Sequence, residues 1–475
     1  MRLLHRLLRS VEFWTLLAAA GLVIGVTVVH PIVGIADNGD FLRVFSTVGM
    51  DYAHPDLNYE DKYFHYFIKD WAFADPFRGA YITTQTLVVF VATWLNRLLY
   101  SNQWFDMRFM VLVYTALLMT AFYYSIRYNK AKSHVFAIAM AVLLVAVFAD
   151  GGYVAYFNSL YGEPVSLVFL LLTAALGIAL TKQDRPSKTL LAFYFVVCFF
   201  FVFSKIQNAP MGILAGLMGL RFLRFRSDGG WRKLVIWGSL VLALGSVAMY
   251  LLAPKQFKEI NIYQTVFYGV LKDSTTVEAD LKALGLSPEL AVLANTNFFT
   301  PNTLIPQRDP KLYELFYNHM SHGKIVKFYL THPGRLWDKL EVAARDGMTI
   351  RPYYLGTYEQ SEGYPSGAVN TKLSYWSEFK HDYMPNRFWF VLLVYAAYYG
   401  VLLWEYVRAT SLRQRVFAEL FALIGAIGAI AFLIPIIGDG EADLAKHLFL
   451  FNVTFDMMLV AGVLWIVAKL TGLRK

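Results

Sequence analysis

Asp37-Asn38-Gly39-Asp40-Phe41-Leu42-Arg43 puts two carboxylates and a guanidinium directly after a long apolar run, Val11 to Ile35. Charge beside hydrocarbon is costly unless it is paired, hydrated or functional. Asp37 and Asp40 are three apart, so on a helical turn they share a face. Gly39 between them permits a sharp turn or the close approach of a ligand. A carboxylate here suits general-base work, taking a proton from a hydroxyl. The second carboxylate can orient the acceptor, hold the first in place or bind a metal. The competing reading is a helix N-terminus capped by aspartate.

Four further clusters have the same character. Phe157-Asn158-Ser159-Leu160-Tyr161-Gly162-Glu163-Pro164 opens a helix with proline in its first turn. Asn158, Tyr161 and Glu163 are its candidates for binding a sugar or an acceptor, with Arg43 of the first motif. Lys205 leaves an extremely apolar run and can meet a phosphate as a point charge, or simply snorkel to the interface. Asp439-Gly440-Glu441-Ala442-Asp443-Leu444-Ala445-Lys446-His447 crowds charge between two apolar runs. There Lys446 and His447 suit a phosphate, and Asp439 and Glu441 suit sugar hydroxyls. Arg345 and Arg351 lie among tyrosines, and arginine binds phosphate bidentately. Arg351 is the anion ligand we take from that stretch.

The elements that must position these groups follow from composition. The chain is 57% hydrophobic and 16% charged, with a mean hydropathy of +0.45. Soluble domains carry about 25% charged residues. Apolar runs long enough for a hydrocarbon core recur, without the period-2 alternation of a membrane β-barrel. The expected fold is all-α and polytopic. Ten spans are predicted, at 11–35, 106–126, 135–149, 164–181, 188–204, 209–223, 234–253, 388–407, 416–437 and 448–468. The stretch 82–100 is apolar but broken by Gln85, Asn96 and Arg97. If it does not cross, the short basic loops all fall on one side: Arg2/Arg6/Arg9, Arg127/Lys130/Lys132, Lys182/Arg185/Lys188, Arg221 to Lys233, Arg408/Arg413/Arg415 and Lys469/Arg474/Lys475. That side is the cytoplasm by the positive-inside rule, with both termini there. We therefore read 82–100 as an interfacial helix. The first helix reads as uncleaved, because no small-residue cleavage site stands out.

Three parts follow. Residues 1–253 form a membrane module with an outer loop at 36–105, 254–387 form an outer cap, and 388–475 form the C-terminal spans. The cap has helical stretches at 278–284, 311–319, 323–330 and 334–346, then a loop from Arg351 to Met384. The unusual polar residues gather on the outer face. The spans read as clean, with only Glu405 and Glu419 near the other side, which weighs against transport. The net charge of +9 lies in short loops and forms no nucleic-acid-binding motif. Cys198 is the single cysteine, so no intrachain disulfide exists. No zinc-protease, Walker or dinucleotide motif occurs in a usable context.

With these residues the chain resembles the GT-C superfamily of membrane glycosyltransferases. There a first helix is followed at once by an outer loop with a catalytic Asp or Glu, then an interfacial helical region and further spans. The Asp-Asn-Gly-Asp-Phe motif, Tyr161-Gly162-Glu163-Pro164 and Lys446-His447 look like bacterial glycan hexose transferases of the WsfD type. The resemblance implies a polyprenyl-phosphate sugar donor and a glycan, lipid-linked or protein acceptor. It places transfer on the periplasmic or extracellular face of a bacterial inner membrane, with inversion at the anomeric carbon. Asp37 or Asp40 would be the base, and Lys205, Arg351, Lys446 or His447 would hold the lipid phosphate. The first motif is Asp-x-x-Asp and not an adjacent acidic pair, so the choice of base stays open. No cofactor is obligatory. A metal on Asp37, Asp40 and Asp439 is the less favoured option. A flippase for lipid-linked sugar and a glycan polymerase or ligase are the other function classes.

Overall fold

The computed structural model describes residues 10–79, 81–129 and 133–472. Of the basic loop residues, Arg2, Arg6, Arg9, Lys130, Lys132, Arg474 and Lys475 lie outside them. The protein is a polytopic helical bundle. Each of the ten predicted spans corresponds to a helix, but six are long and apolar enough to cross a membrane, or seven if a bent pair counts as one span. The six are Arg108–Asn129, Glu163–Lys182, Gly229–Leu251, Phe388–Arg408, Leu412–Gly438 and Phe449–Leu470. The seventh joins His134–Phe148 to Gly151–Phe157 across a 51° bend.

The shortfall has a local cause. The first helix, Val11–Thr27, has 17 residues and ends well before Ile35. At 1.5 Å per residue that is about 26 Å, against a core of about 30 Å. Pro31 cannot donate to a helical ladder, and residues 28–36 leave it. Lys188–Val202 has 15 residues and Met211–Arg221 has 11.

Glu163–Lys182 runs through the centre, buried on all sides except at Ala174 and Lys182. It packs against Arg108–Asn129, Lys188–Val202, Leu412–Gly438 and Phe449–Leu470. An apolar helix without a polar face belongs in that position. Phe388–Arg408 and Gly229–Leu251 turn most of their apolar surface outward, as lipid-facing helices do.

The two ends of the bundle differ in chemistry. At one end Arg221 pairs with Glu419 (2.6 Å) and Lys469 with Glu405 (2.7 Å). There too Arg413 donates to the Asp184 carbonyl (2.5 Å) and Arg226 to that of Pro186 (2.9 Å). The other end gathers residues 28–43, 150–163, 203–208 and 438–447. The helix Thr84–Leu99 begins and finishes at this second end. Thr84 N–H donates to the Phe203 carbonyl (2.9 Å), and Asn96 Nδ2 to that of Trp104 (2.8 Å). Its exposed face carries Leu87, Val91, Trp94 and Leu98.

Against the helix Phe41–Val48 lies a small antiparallel sheet absent from the sequence reading: β1 (Met50–Tyr52), β2 (Asp70–Phe73) and β3 (Trp104–Asp106). Trp71 of β2 is wholly buried against Phe41, Phe45 and Tyr52. The outer segment contains the predicted helices as Val277–Leu284, Pro310–Tyr317, His322–Thr331 and Pro333–Asp346. It also contains a helix, Tyr375–Tyr383, inside the stretch whose composition predicts loop.

Candidate functional site

The loop after the first helix is clamped from both sides. Ile35 N–H donates to the Asn158 carbonyl (3.3 Å), Gly34 to Thr357 (3.0 Å) and Ala36 to Gly356 (2.9 Å). Asn158 Nδ2 donates to the carbonyls of Thr27 and Val33, both at 2.8 Å. Asn158 is thus a buried brace for this loop. Tyr161 braces it one step on: its hydroxyl accepts from Asn38 N–H (2.9 Å) and lies 2.8 Å from the Ala36 carbonyl.

Asp37 follows, 2% exposed. Its Oδ1 accepts from Gly39 N–H (2.8 Å) and Phe41 N–H (3.0 Å), tying off the start of Phe41–Val48. Gly39 sits at φ +100°, a conformation that a side chain would strain. Asp37 Oδ2 is buried with no hydrogen-bond partner among the described residues. A buried carboxylate oxygen is rarely left so. Burial raises the Asp37 carboxyl to about 7, the neighbouring Asp40 adds to the rise, and the bond from Phe41 opposes it.

Asp40 has the opposite environment. Its Oδ1 pairs with Arg43 and its Oδ2 with Lys446 Nζ (2.5 Å). Burial alone would raise it, but Arg43 and then Lys446 outweigh that and hold it well below the carboxylate range. Lys446 is buried, yet Asp40 and Asp443 keep it charged, its affinity for the proton raised. It also lies over the Tyr161 ring, 5.0 Å from the centroid.

Glu163 and Lys205 meet at 2.6 Å, and Glu163 Oε2 is buried without a partner among the described residues. Gln207 donates to the His447 carbonyl (2.9 Å), and His447 Nε2 lies 2.9 Å from Asp439. Tyr81 completes the wall. Burial raises its hydroxyl to about 12, with Arg43 opposing and Asp40 and Glu163 adding. Asp37, Asp40, Arg43, Tyr161, Glu163, Lys205, Asp439, Lys446 and His447 thus form one connected neighbourhood at the second end of the bundle. Among the described residues no group of three or more His, Cys, Asp and Glu side chains is arranged to hold a metal ion.

A family model described as the YfdI N-terminal transmembrane domain matches residues 2–475. The chain belongs to this family. No curated protein and no solved structure matches it.

Two of the candidate residues in this YfdI-family chain stand apart from the Asp37 cluster. Glu441 is held by Lys272 (2.8 Å) and Lys339 (2.6 Å), both from the outer segment. Arg351 is buried and pairs with Glu378 (3.0 Å), and among the described residues its Nε has no partner.

One group was missed altogether. Asp456 lies inside Phe449–Leu470, so the spans are not as clean as the sequence suggested. It meets Lys380 of Tyr375–Tyr383 at 2.6 Å, both side chains 0% exposed. It also accepts from the Tyr153 hydroxyl (2.6 Å) and Trp376 Nε1 (2.8 Å). Every oxygen of Asp456 has a partner, as a buried charge requires. The signal available was an acid within an apolar run and an amphipathic Trp-Ser-Glu-Phe-Lys stretch. Nothing local linked the two.

Proposed function

We propose that this YfdI-family protein is a membrane glycosyltransferase of GT-C type, similar to the WsfD-type hexose transferases. It moves a hexose from a polyprenyl-phosphate donor to a glycan or lipid-linked acceptor. The observation that carries this reading is the free Asp37 Oδ2. It is a buried oxygen on a carboxyl held near 7 and anchored through its other oxygen. A base poised near the working pH is what proton abstraction from a sugar hydroxyl requires.

In this scheme the acceptor hydroxyl gives its proton to Asp37 Oδ2. Its oxygen bonds to C1 of the donor sugar on the face opposite the phosphate. The bond from C1 to the phosphate oxygen breaks and that oxygen keeps the electron pair. Configuration at C1 inverts. The polyprenyl phosphate that departs gains a negative charge, which Lys446, Arg43, Lys205 and His447 are near enough to offset. Asp40 holds Arg43 and Lys446 in place. The leaving group is already activated, so the scheme needs no nucleotide and no metal.

The test is a panel of polyprenyl-phosphate sugars, with oligosaccharide polyprenyl pyrophosphates beside it, given to purified protein in lipid. Release of polyprenyl phosphate is followed for wild type, Asp37→Asn and Asp40→Asn. Release from one monophosphate donor, abolished in Asp37→Asn, is expected. Unchanged turnover in Asp37→Asn would remove the base. Release from pyrophosphate donors alone would move the protein to the polymerase or ligase class.

A further inference from the structure

A cavity of about 380 Å³ opens beside the Asp37 loop, between that loop and the outer segment. Its size falls within the roughly 300–1,000 Å³ of small-molecule sites. The rings of Phe64, Tyr353, Tyr354 and His381 line it, with the carboxylates of Asp346 and Asp443.

Both walls are bonded to the loop that carries the candidate base. Phe64 N–H donates to the Asp37 carbonyl at 2.7 Å. Asp443 Oδ2 accepts from Asn38 Nδ2 at 2.5 Å, and its Oδ1 accepts from the Tyr354 hydroxyl at 3.1 Å. Phe64 and Asp443 each have positive φ, at 68° and 47°. Such backbone is costly for residues other than glycine, and it gathers at ligand sites. Here two such residues face one small cavity.

The charge on the walls selects the occupant. Among the described residues two carboxylates line the cavity and no lysine or arginine does. A phosphate would be repelled there. Of the cations next to the lining residues in sequence, Lys446 is held by Asp40 (2.5 Å) and lies 3.8 Å from Asp443, and Arg345 is exposed. The Asp346 carboxylate makes no hydrogen bond or ion pair with the described residues, and burial raises it. The unpaired Asp346 carboxylate beside aromatic rings suits a polyol that has hydroxyl donors on its edges and C–H groups on its faces.

We propose that this cavity is the acceptor subsite and takes an uncharged saccharide, whose hydroxyl it presents to Asp37. The inference rests on the transferase reading for the role of the sugar, but binding itself can be read without any donor. The donor phosphate then approaches from the cationic side, through Lys446, Arg43 and Lys205, and the acceptor from the carboxylate side. The two substrates are kept apart by charge.

The probe is a set of free, uncharged tri- and tetrasaccharides added to the full chain in lipid nanodiscs, followed by saturation-transfer NMR. Asp346→Asn removes the charge and leaves the shape, and Tyr354→Ala removes a half-exposed ring. At least one saccharide should receive saturation from wild type, and each variant should weaken that binding about tenfold, the scale of a hydrogen bond to a charged group. With donor present, Asp346→Asn should raise the acceptor KM about tenfold and move the donor KM less than twofold. Binding unchanged in both variants, or no saccharide bound by wild type, overturns the subsite. The transferase reading is judged separately, by Asp37-dependent release of polyprenyl phosphate with water as acceptor. Either idea can therefore fail alone.

Discussion

Asp37 divides its two oxygens between two tasks. One ties off the helix Phe41–Val48, and the other is left free and buried. The capping role that the sequence offered is thus seen at Asp37, and the free oxygen is the one our proposal uses as base. What the sequence left undecided, Asp37 or Asp40, is separated by environment. Burial raises the Asp37 carboxyl to about 7, whereas Arg43 and Lys446 lower that of Asp40 despite its own burial. Carboxyls pushed apart in this way take different roles. A base must be ionised to act, so turnover should rise with pH through about 7 and level off above it. Below that it should fall roughly tenfold per pH unit. Asp37→Asn should lower turnover by about 10²–10⁴-fold and lose this dependence. Stability should move the other way. The folded carboxyl binds its proton more tightly than the unfolded one does. Its contribution is therefore full below about 4, the ordinary aspartate value, and is lost as pH rises through 7. Asparagine imitates the protonated form and can still accept from Gly39 and Phe41. Asp37→Asn should thus unfold at a temperature no lower than wild type at pH 8 in detergent. A marked drop would mean that the ionised carboxylate is structural.

At the scale of elements, apolar runs were legible and helix ends were not. Hydropathy is additive along the chain, so each of the ten runs could be found. Where a helix stops depends on partners far away. Residues 28–36 leave the helix because Asn158, Gly356 and Thr357 take up their backbone groups. The helix Tyr375–Tyr383 was read as loop because glycine, proline and serine surround it. Its Lys380 nevertheless reaches Asp456 and fastens the outer segment to the last span. The pair is fully desolvated, and burial lowers the Lys380 proton affinity while Asp456 restores part of it. Removing one partner leaves a buried charge alone, which costs about 3–5 kcal/mol. Lys380→Met and Asp456→Asn should each lower unfolding stability by that amount. The double variant Lys380→Met/Asp456→Asn should cost clearly less than the sum, since it leaves no lone charge. Thermal unfolding in one detergent would read all three. Simple additivity would mean that the two charges do not depend on each other.

Across the whole molecule, charge is sorted by end. Arg221, Arg226, Arg413 and Lys469 of the short basic loops pair with neighbouring segments at one end. Asp37, Asp40, Glu163, Asp439 and Asp443 gather at the other. This polarity was visible in the sequence, because alternating spans sort loops into two sets whatever the details of packing. The partners within the site were not visible, since Asp40 and Lys446 lie 406 residues apart. The sorting makes a prediction about sidedness. Cys198 is buried and is the single cysteine, so a Cys198→Ala protein is a silent background for labelling. Ala279 is exposed in the outer segment, and Arg185 is exposed in a basic loop at the opposite end. By the positive-inside rule, a membrane-impermeant maleimide on intact cells should label Ala279→Cys at once. It should label Arg185→Cys only after the membrane is opened. The reverse pattern would put the Asp37 neighbourhood in the cytoplasm. A sugar donor there need not be lipid-linked, and the choice of a polyprenyl phosphate over a soluble activated sugar would lose its reason.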